Sequence, residues 1–392
     1  MTDDVERIRR ALPDLETYAT RDANNRFDPQ KDGAELRGEN PFHGSSTGTN
    51  FALDPDAGQW FCHRQSHKEG GGIFEYIAVD EGLVDCGETS DITTVFPEVL
   101  EVAAEKAGVD LELDAQDRAS VKQRRETRER LDEAYQEATA LYHQQLDTAI
   151  PDPRDENSTL TVREWLHEFY GLGDEIIDDA MVGFAPNNPT ALVNIADAGQ
   201  KTLLESGLAV DTQDGIVDFF DGRIIFPYFE RGKPRYFIGR KTPLTPDEDW
   251  EMGKYKKLPR PTNNDHVADL VDEPIYGRDR VRDADSVIVT EGVTDVLAAC
   301  QHGYTAIAPV TTSFKESRVS DVAQLLRGKH VTVIMDEDAE SQAGIEGALK
   351  TAEVIDKRTG PATDVNVCRL PLEDGDLCDF LQQSAGVPGD SQ

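Results

Sequence analysis

From residue 286 onward, apolar and polar positions alternate in blocks. Short runs rich in Val and Ile at 286–290, 305–309, 330–335 and 365–370 are separated by amphipathic stretches at 295–302, 318–326, 345–357 and 378–383. Runs that short and that β-branched predict strands, and the longer stretches predict helices. Strand–helix alternation with continuous apolar strands predicts a parallel sheet flanked by helices. Upstream the order differs: helices at 160–170 and 174–181 precede strands at 216–220, 223–229 and 235–240.

Between 115 and 147 almost every residue is helix-forming and many are charged, with a narrow stripe of Leu131, Tyr135, Ala138, Tyr142 and Leu146. This predicts a solvated connecting helix in preference to a partner-binding one. Pro151-Asp-Pro153 ends it and marks a domain boundary. Residues 1–39 carry a short amphipathic pattern (Val5, Ile8, Leu12, Leu15) and then polar coil, and a helix is expected at 92–109. Residues 40–86 are Gly-rich and strand-like and hold three of the eight histidines. The expected organisation is a multi-domain α/β chain: a small β-rich domain at 1–114, a charged helical linker at 115–150, an α+β subdomain at 151–284 and the parallel sheet at 285–392.

Composition narrows the setting. No apolar stretch is long enough to span a bilayer, and Met1-Thr-Asp-Asp lacks the basic-then-apolar pattern of a secretion signal. Five scattered cysteines with no framework spacing fit a reduced, cytoplasmic protein. The formal charge of −36 is spread along the chain, as a salt-loving (halophilic) host would require, because salt screens the self-repulsion of such a surface. Against that background residues 223–260 invert the balance, with ten Lys or Arg against five acids. Phe226, Tyr228, Phe229, Tyr236, Phe237 and Tyr255 are interleaved with them. Cations and aromatics together suit a groove for a phosphate backbone and stacked bases.

Two strand-ending segments carry the chemistry: Val289-Thr-Glu291-Gly292-Val-Thr-Asp295 and Val333-Ile-Met-Asp336-Glu337-Asp338. Acids at the exits of buried parallel strands lie at the mouth of the sheet, where open α/β folds bind ligands. Glu291, Asp336 and Asp338 would converge on a hard cation such as Mg²⁺ or Mn²⁺. Asp336 and Asp338 point to one side of the strand and Glu337 to the other. Gly292 would allow a sharp turn. Asp295 is equally suited to cap the next helix or to join the metal ligands.

The joint pattern resembles the TOPRIM fold shared by bacterial-type (DnaG) primases, type IA and II topoisomerases and OLD-family nucleases. Upstream, Gly183-Phe-Ala-Pro186, Leu203-Leu-Glu-Ser-Gly207-Leu208 and Phe220-Asp-Gly-Arg223-Ile-Ile-Phe-Pro227 resemble primase core motifs in their usual order. Phe237-Ile-Gly-Arg240, Gly253-Lys254-Tyr255, Ile275-Tyr-Gly277 and Val310-Thr-Thr-Ser-Phe314 continue the likeness, which runs from about 160 to 383. The resemblance implies a DNA primase-like enzyme, a metal-dependent nucleotidyltransferase making short RNA primers from nucleoside triphosphates on single-stranded DNA in replication. It implies Glu291, Asp336 and Asp338 as catalytic, the same three with Asp295 as ligands for Mg²⁺ or Mn²⁺, and Arg223, Arg240, Lys241, Lys254 and Tyr255 as nucleic-acid and nucleotide contacts. The family's Asp-Gly-Asp stands here as Asp336-Glu337-Asp338, and its Pro-Lys-Tyr-Leu-Asn as Gly253-Lys-Tyr-Lys-Lys257. A TOPRIM-type nuclease and a non-catalytic replicon-associated nucleic-acid-binding protein are the alternatives. The helicase-binding domain that follows the core in bacterial relatives is expected to be absent.

Residues 40–72 resemble the zinc ribbon that precedes the primase core. Of the ribbon's Cys-x2-His and Cys-x2-Cys ligands, only His43 and Cys62 stand in place; Asn40 and Gln65 occupy cysteine positions. His63, His67 and Cys86 are candidate substitutes. One reading is a mixed Zn²⁺ site of His43, Cys62 and His67. The other is a ribbon without metal, held by packing of Phe42, Phe51, Trp60 and Phe61.

Overall fold

Valine pairs set the frame of the C-terminal sheet, with Val289 opposite Val333 and Val333 opposite Val367 in parallel register. The computed structural model describes residues 2–32, 35–43, 48–63, 69–87, 89–109, 115–213, 215–230, 232–248, 251, 253–259, 274–281, 284–310, 314, 319–337, 343–359, 363–372 and 374–385. The chain divides into two compact units, Met1–Arg125 and Glu126–Gln392. Among the described residues no helix is long and apolar enough to cross a membrane.

The first unit is built on an antiparallel sheet in chain order, β1 (Gln30–Asp32), β2 (Glu35–Gly38), β3 (Phe51–Asp54), β4 (Gln59–Cys62) and β5 (Gly70–Gly71). The helices Thr2–Ala11, Ile73–Asp80 and Phe96–Ala107 accompany it. Along β4, Trp60 and Cys62 turn inward while Gln59 and Phe61 face out, the period-2 pattern of a half-buried strand. Phe51 stacks on Trp60 at 5.4 Å, and both meet Tyr76 edge-on. The expected packing holds for Phe42, Phe51 and Trp60, but Phe61 remains 39 % exposed. Part of the segment expected as polar coil pairs as β1 and β2.

The second unit holds two main sheets. An antiparallel one has the order β13 (Tyr255–Lys257), β12 (Lys233–Lys241), β11 (Arg223–Glu230), β8 (Gly183–Ala185). The hairpins β6–β7 (Ala149–Asp152, Asp155–Thr161) and β9–β10 (Ala209–Thr212, Gly215–Asp218) stand beside it in the chain. The parallel sheet has the order β15 (Ala306–Ile307), β14 (Ser286–Val289), β16 (His330–Val333), β17 (Asp364–Val367). Its strands alternate with the helices Val293–Gln301, Val319–Leu326, Ala343–Thr359 and Leu377–Ala385, as the block pattern predicts. Val287, Val289, Ile307, Val331 and Val333 pack with Ala348, Ala352 and Ile355 in one core. Val296, Leu297 and Ala299 belong instead to the larger core that runs into the antiparallel subdomain.

The connecting helix departs from expectation. Ala115–His143 is one helix, yet Leu131, Tyr135, Ala138, Tyr142 and Leu146 are buried in the second unit's core, so the stripe is packed, not solvated. Tyr135 packs on Phe237 at 5.5 Å and donates its hydroxyl to Ser206 O at 2.8 Å. The compact units part at 125/126, within this helix and ahead of the Pro151 boundary. Charge on the outer face concealed a core-forming segment.

Candidate functional site

Parallel register delivers the acids. Glu291 lies just beyond β14 and Asp336 just beyond the neighbouring β16. The loops leaving β16 and β17 are tied by Glu337 N to Gly375 O at 2.8 Å and Gly375 N to Glu337 O at 3.0 Å. That bridge carries Asp376 and Asp379 to the same mouth of the sheet. Gly344 lies so close to this loop that a Cβ there would stand 1.9 Å from Asp336 O, so the backbone behind Asp336 leaves no room for a side chain. Asp338 lies outside the described residues.

The electrostatics are those of crowded carboxylates. Desolvation, then repulsion from Glu291, Asp376 and Asp379, pushes the Asp336 carboxyl up to about 7. Glu291 is raised by desolvation, partly offset by the N–H of Asp336. Asp376 is raised by desolvation and by Asp379, with Arg240 pulling the other way. Acids that repel one another, partly buried at Glu291 and Asp376 and more open at Asp336, suit a divalent cation, and their donors are all hard oxygens. Glu291, Asp336 and Asp376 thus face one another electrostatically across the mouth of the sheet, although their oxygens, unlike the ligand atoms of His43, Cys62 and Cys86, do not gather within 4.8 Å of one another.

Asp295 plays another part. It is 2 % exposed, its Oδ2 accepts Gly292 N at 3.1 Å and its Oδ1 accepts Cys378 N at 2.9 Å. Both oxygens are engaged in holding the Glu291 loop and the last helix, which is the capping reading of this residue. Gly292 is the N-cap, in extended backbone (φ −121°), so no left-handed turn is needed there. Glu337 faces away, paired with Arg369 at 2.6 Å. Asp376 and Asp379 went unnoticed in the sequence. Their one signal was an acid-rich loop, Asp374-Gly-Asp-Leu-Cys-Asp379, following the fourth strand.

The basic segment divides sharply. Arg223, read from the sequence as a nucleic-acid contact, is fully buried and bonded to Glu251, so it cannot reach a phosphate. Lys233 and Arg235 pair with Asp132, and Lys256 with Glu251. Arg231 and Arg260 lie outside the described residues. Arg240, Lys241, Lys254 and Lys257 form no ion pair among the described residues; they lie on or beside β12 and β13. Arg240 sits between two aromatic rings, 5.2 Å from Tyr255 and 5.8 Å from Tyr170, and its Nε and Nη1 have no hydrogen-bond partner. Lys254 lies 5.9 Å from the Tyr255 ring. Tyr255 is itself raised by desolvation, opposed by Arg240 and by a hydrogen bond with Thr294, and feels both Asp295 and Asp376. The cationic strands and the acidic mouth thus adjoin.

In the first unit the ligand atoms of His43, Cys62 and Cys86 all lie within 4.8 Å of one another. His43 Nε2 is 3.5 Å from Cys62 Sγ, and buried Asn40 donates Nδ2 to Cys86 Sγ at 3.4 Å. One imidazole and two thiols fit Zn²⁺. Cys86 completes the trio where the sequence suggested His67, which lies outside the described residues. His63 packs against Phe61 and faces solvent.

Residues 153–260 match the family described as DNA primase catalytic core, N-terminal domain, and 288–381 match the Toprim-like family. The DNA primase of Enterococcus faecalis is 26 % identical over 353 residues, covering 87 % of this chain and 51 % of that protein. That of Deinococcus radiodurans is 25 % identical over 325 residues, covering 80 % and 48 %. The chain spans about half the length of these curated relatives. Among solved structures, the RNA polymerase domain of Mycobacterium tuberculosis primase DnaG, in complex with a double-stranded DNA oligomer with a 6-nucleotide overhang, superposes with a TM-score of 0.52 at 25 % identity, covering 66 % of this chain and 77 % of that one. The Aquifex aeolicus primase (zinc binding and RNA polymerase domains) shares the fold across 97 % of this chain and 82 % of that one, with a TM-score of 0.50 at 18 % identity.

Proposed function

The chain belongs to the family of DnaG-like DNA primases, and from that membership we propose that it synthesises short RNA primers from nucleoside triphosphates on single-stranded DNA by metal-dependent nucleotidyl transfer. The observation that carries the reading is Arg240. It is a guanidinium held between Tyr170 and Tyr255 with two nitrogens unsatisfied, at the edge of the carboxylate cluster that includes Asp376. A guanidinium with two unpartnered nitrogens beside mutually repelling carboxylates suits a ligand bearing phosphates together with divalent metal.

In this reading Glu291, Asp336 and Asp376 hold Mg²⁺ or Mn²⁺, with Asp338 as a further ligand. When bound, the metal neutralises charge on the phosphates and on the departing pyrophosphate. Asp295 positions the Glu291 loop. Arg240, Lys241 and Lys254 bind the template backbone and the nucleotide phosphates, and Tyr255 fixes the guanidinium plane. His43, Cys62 and Cys86 hold a structural Zn²⁺ in the first unit. Free cysteines throughout, two of them within reach of one imidazole, agree with a reducing cytoplasm. The acidic surface agrees with a salt-rich one.

The test is one incubation of single-stranded DNA with Mg²⁺ or Mn²⁺, with and without labelled nucleotides, in high salt. Elongation that needs nucleotides and is abolished in Glu291→Gln supports the reading. Cutting without nucleotides would make the protein a nuclease, and neither product would leave a binding protein.

A further inference from the structure

Beneath Arg240, Lys241 and Lys254 lies a charge network centred on a carboxylate that is closed to solvent. Glu251 is 3 % exposed, and its Oε2 accepts Arg223 Nε at 3.0 Å and Nη2 at 2.8 Å. Its Oε1 accepts the Lys256 ammonium. Arg223 also donates Nη2 to Glu251 O at 2.9 Å, and Nη1 to Gly239 O at 3.1 Å and Gly253 O at 3.2 Å. Lys256 Nζ donates to Phe219 O at 2.7 Å and lies 4.3 Å from the Phe219 ring. One carboxylate therefore serves a buried guanidinium and a partly buried ammonium, and the guanidinium joins β12 at Gly239 to Glu251 and Gly253.

Gly253 leads directly into Lys254. Lys254 O accepts Lys241 N at 2.9 Å, and Tyr255 pairs with Arg240 across β12 and β13. Arg240, Lys241 and Lys254 thus take their places on a strand pair whose entry is fastened from below. A buried ion network is a costly fastening: apolar side chains of similar volume would hold the core as well or better. What it adds is two fixed anchor points, Glu251 O and Gly253 O, the second directly before Lys254 and Tyr255.

We propose that Glu251 is a positioning residue for single-stranded nucleic-acid binding, acting through Arg223 and Lys256 to set where Lys254 meets a phosphate. This rests on the reading of the basic strands as the nucleic-acid face. Glu251 itself touches no ligand. The Lys at 256, where the family pattern has Leu, becomes intelligible as the second partner of the same carboxylate.

The test is a double-mutant cycle read by fluorescence anisotropy on a labelled deoxythymidine oligonucleotide at several KCl concentrations. Wild type, Lys254→Gln, Glu251→Gln and the double variant are compared. Lys254→Gln is expected to weaken binding about fivefold and to reduce the slope of log affinity against log salt by about 1. Glu251→Gln is expected to lose a similar part of the slope, and the double variant to bind no worse than the weaker single one. A merely structural defect would lower the binding-competent fraction and leave the slope intact; that result, or additive losses, overturns the positioning role alone. Unchanged binding by Lys254→Gln overturns the basic-face reading and this inference with it. Should Glu251→Gln fail to fold, the same cycle is read on Glu251→Asp, whose shorter side chain keeps the charge but cannot span both cations.

Discussion

Asp295 and Cys378, 83 positions apart in the chain, are joined by a backbone N–H to carboxylate hydrogen bond of 2.9 Å that is closed to solvent. The same carboxylate caps the helix behind Glu291. Asparagine offers one acceptor where two N–H groups need one each. Asp295→Asn is therefore expected to cost about 1–3 kcal/mol, the penalty of an unpaired buried donor. Relief of repulsion with Asp376 and Asp336 opposes that loss in metal-free protein, so the cost should be larger with Mg²⁺ present. Urea unfolding with and without Mg²⁺ measures both; Mg²⁺ affinity changed more than tenfold in this variant would make Asp295 a ligand instead.

Asp336 gives a pH dependence. Its folded pKa, about 7, lies above the ordinary value of 3.8, so the folded protein binds the extra proton. The stabilisation this represents is complete below the ordinary value and is lost as pH rises through 7. In EDTA, Asp336→Asn should match wild type at low pH and exceed it at pH 8, by about 1 kcal/mol once solvent screening is allowed for. Mg²⁺ should reverse the order at pH 8. Because binding displaces the proton, Mg²⁺ affinity should climb with pH and level off above about 7. A thermal-melt series and a Mg²⁺ titration across pH 5–9 check both signs, and a flat profile removes Asp336 from the metal site.

Arg223 on β11 and Arg240 on the adjacent β12, where it pairs with Ile224, should fail differently. Arg223→Met strands Glu251 without its guanidinium and is expected to cost about 3–5 kcal/mol, the usual result of breaking a buried pair. Arg240→Gln removes a guanidinium with unsatisfied nitrogens, so stability should change by less than about 1 kcal/mol while nucleotide KM or DNA affinity weakens about tenfold. Denaturation midpoints beside primer-synthesis kinetics separate the two.

These contrasts mark where sequence was sufficient. Glu291 and Asp336 are legible because an apolar strand run ends just before each, and parallel register then brings both to the same end of the sheet. Asp376 is not, because its loop leaves the strand early and returns only through the Glu337–Gly375 bridge, a long-range contact no local pattern encodes. Counting cations in 223–260 points to β11–β13 but cannot tell fully buried Arg223 from partly buried Arg240, since burial depends on the partner Glu251. The burial of Tyr135 and its stripe is hidden in the sequence because the charge on the rest of the helix dominates its composition. Cys86 was passed over as a preferred ligand because ribbon spacing directs attention to residues between 40 and 67.

The thiol–imidazole trio predicts a zinc dependence distinct from the acidic site. Cys86→Ala is expected to abolish bound zinc, and His67→Ala to retain it, by elemental analysis of purified protein. Zinc removal should lower the melting temperature of the first unit and leave Mg²⁺ binding by the second unchanged. Zinc absent from wild type would mean that the aromatic cluster around Phe51 and Trp60 holds the ribbon without metal.

Salt should stabilise this chain. With 76 acids against 40 cations the net charge is −36, so unscreened repulsion acts over the whole surface. Screening also weakens surface ion pairs, such as Arg163 with Asp174 and Asp178. Each such pair contributes only about 0–1 kcal/mol, and the excess acids outnumber them. Raising KCl from 0.1 M to 1 M shortens the screening length from about 10 Å to about 3 Å, which removes most repulsion between non-neighbouring acids. The melting temperature is expected to rise steadily over that range, with chloride salts of Na⁺ and K⁺ acting alike. A fall would show that ion pairs outweigh self-repulsion and would withdraw the salt-adapted setting.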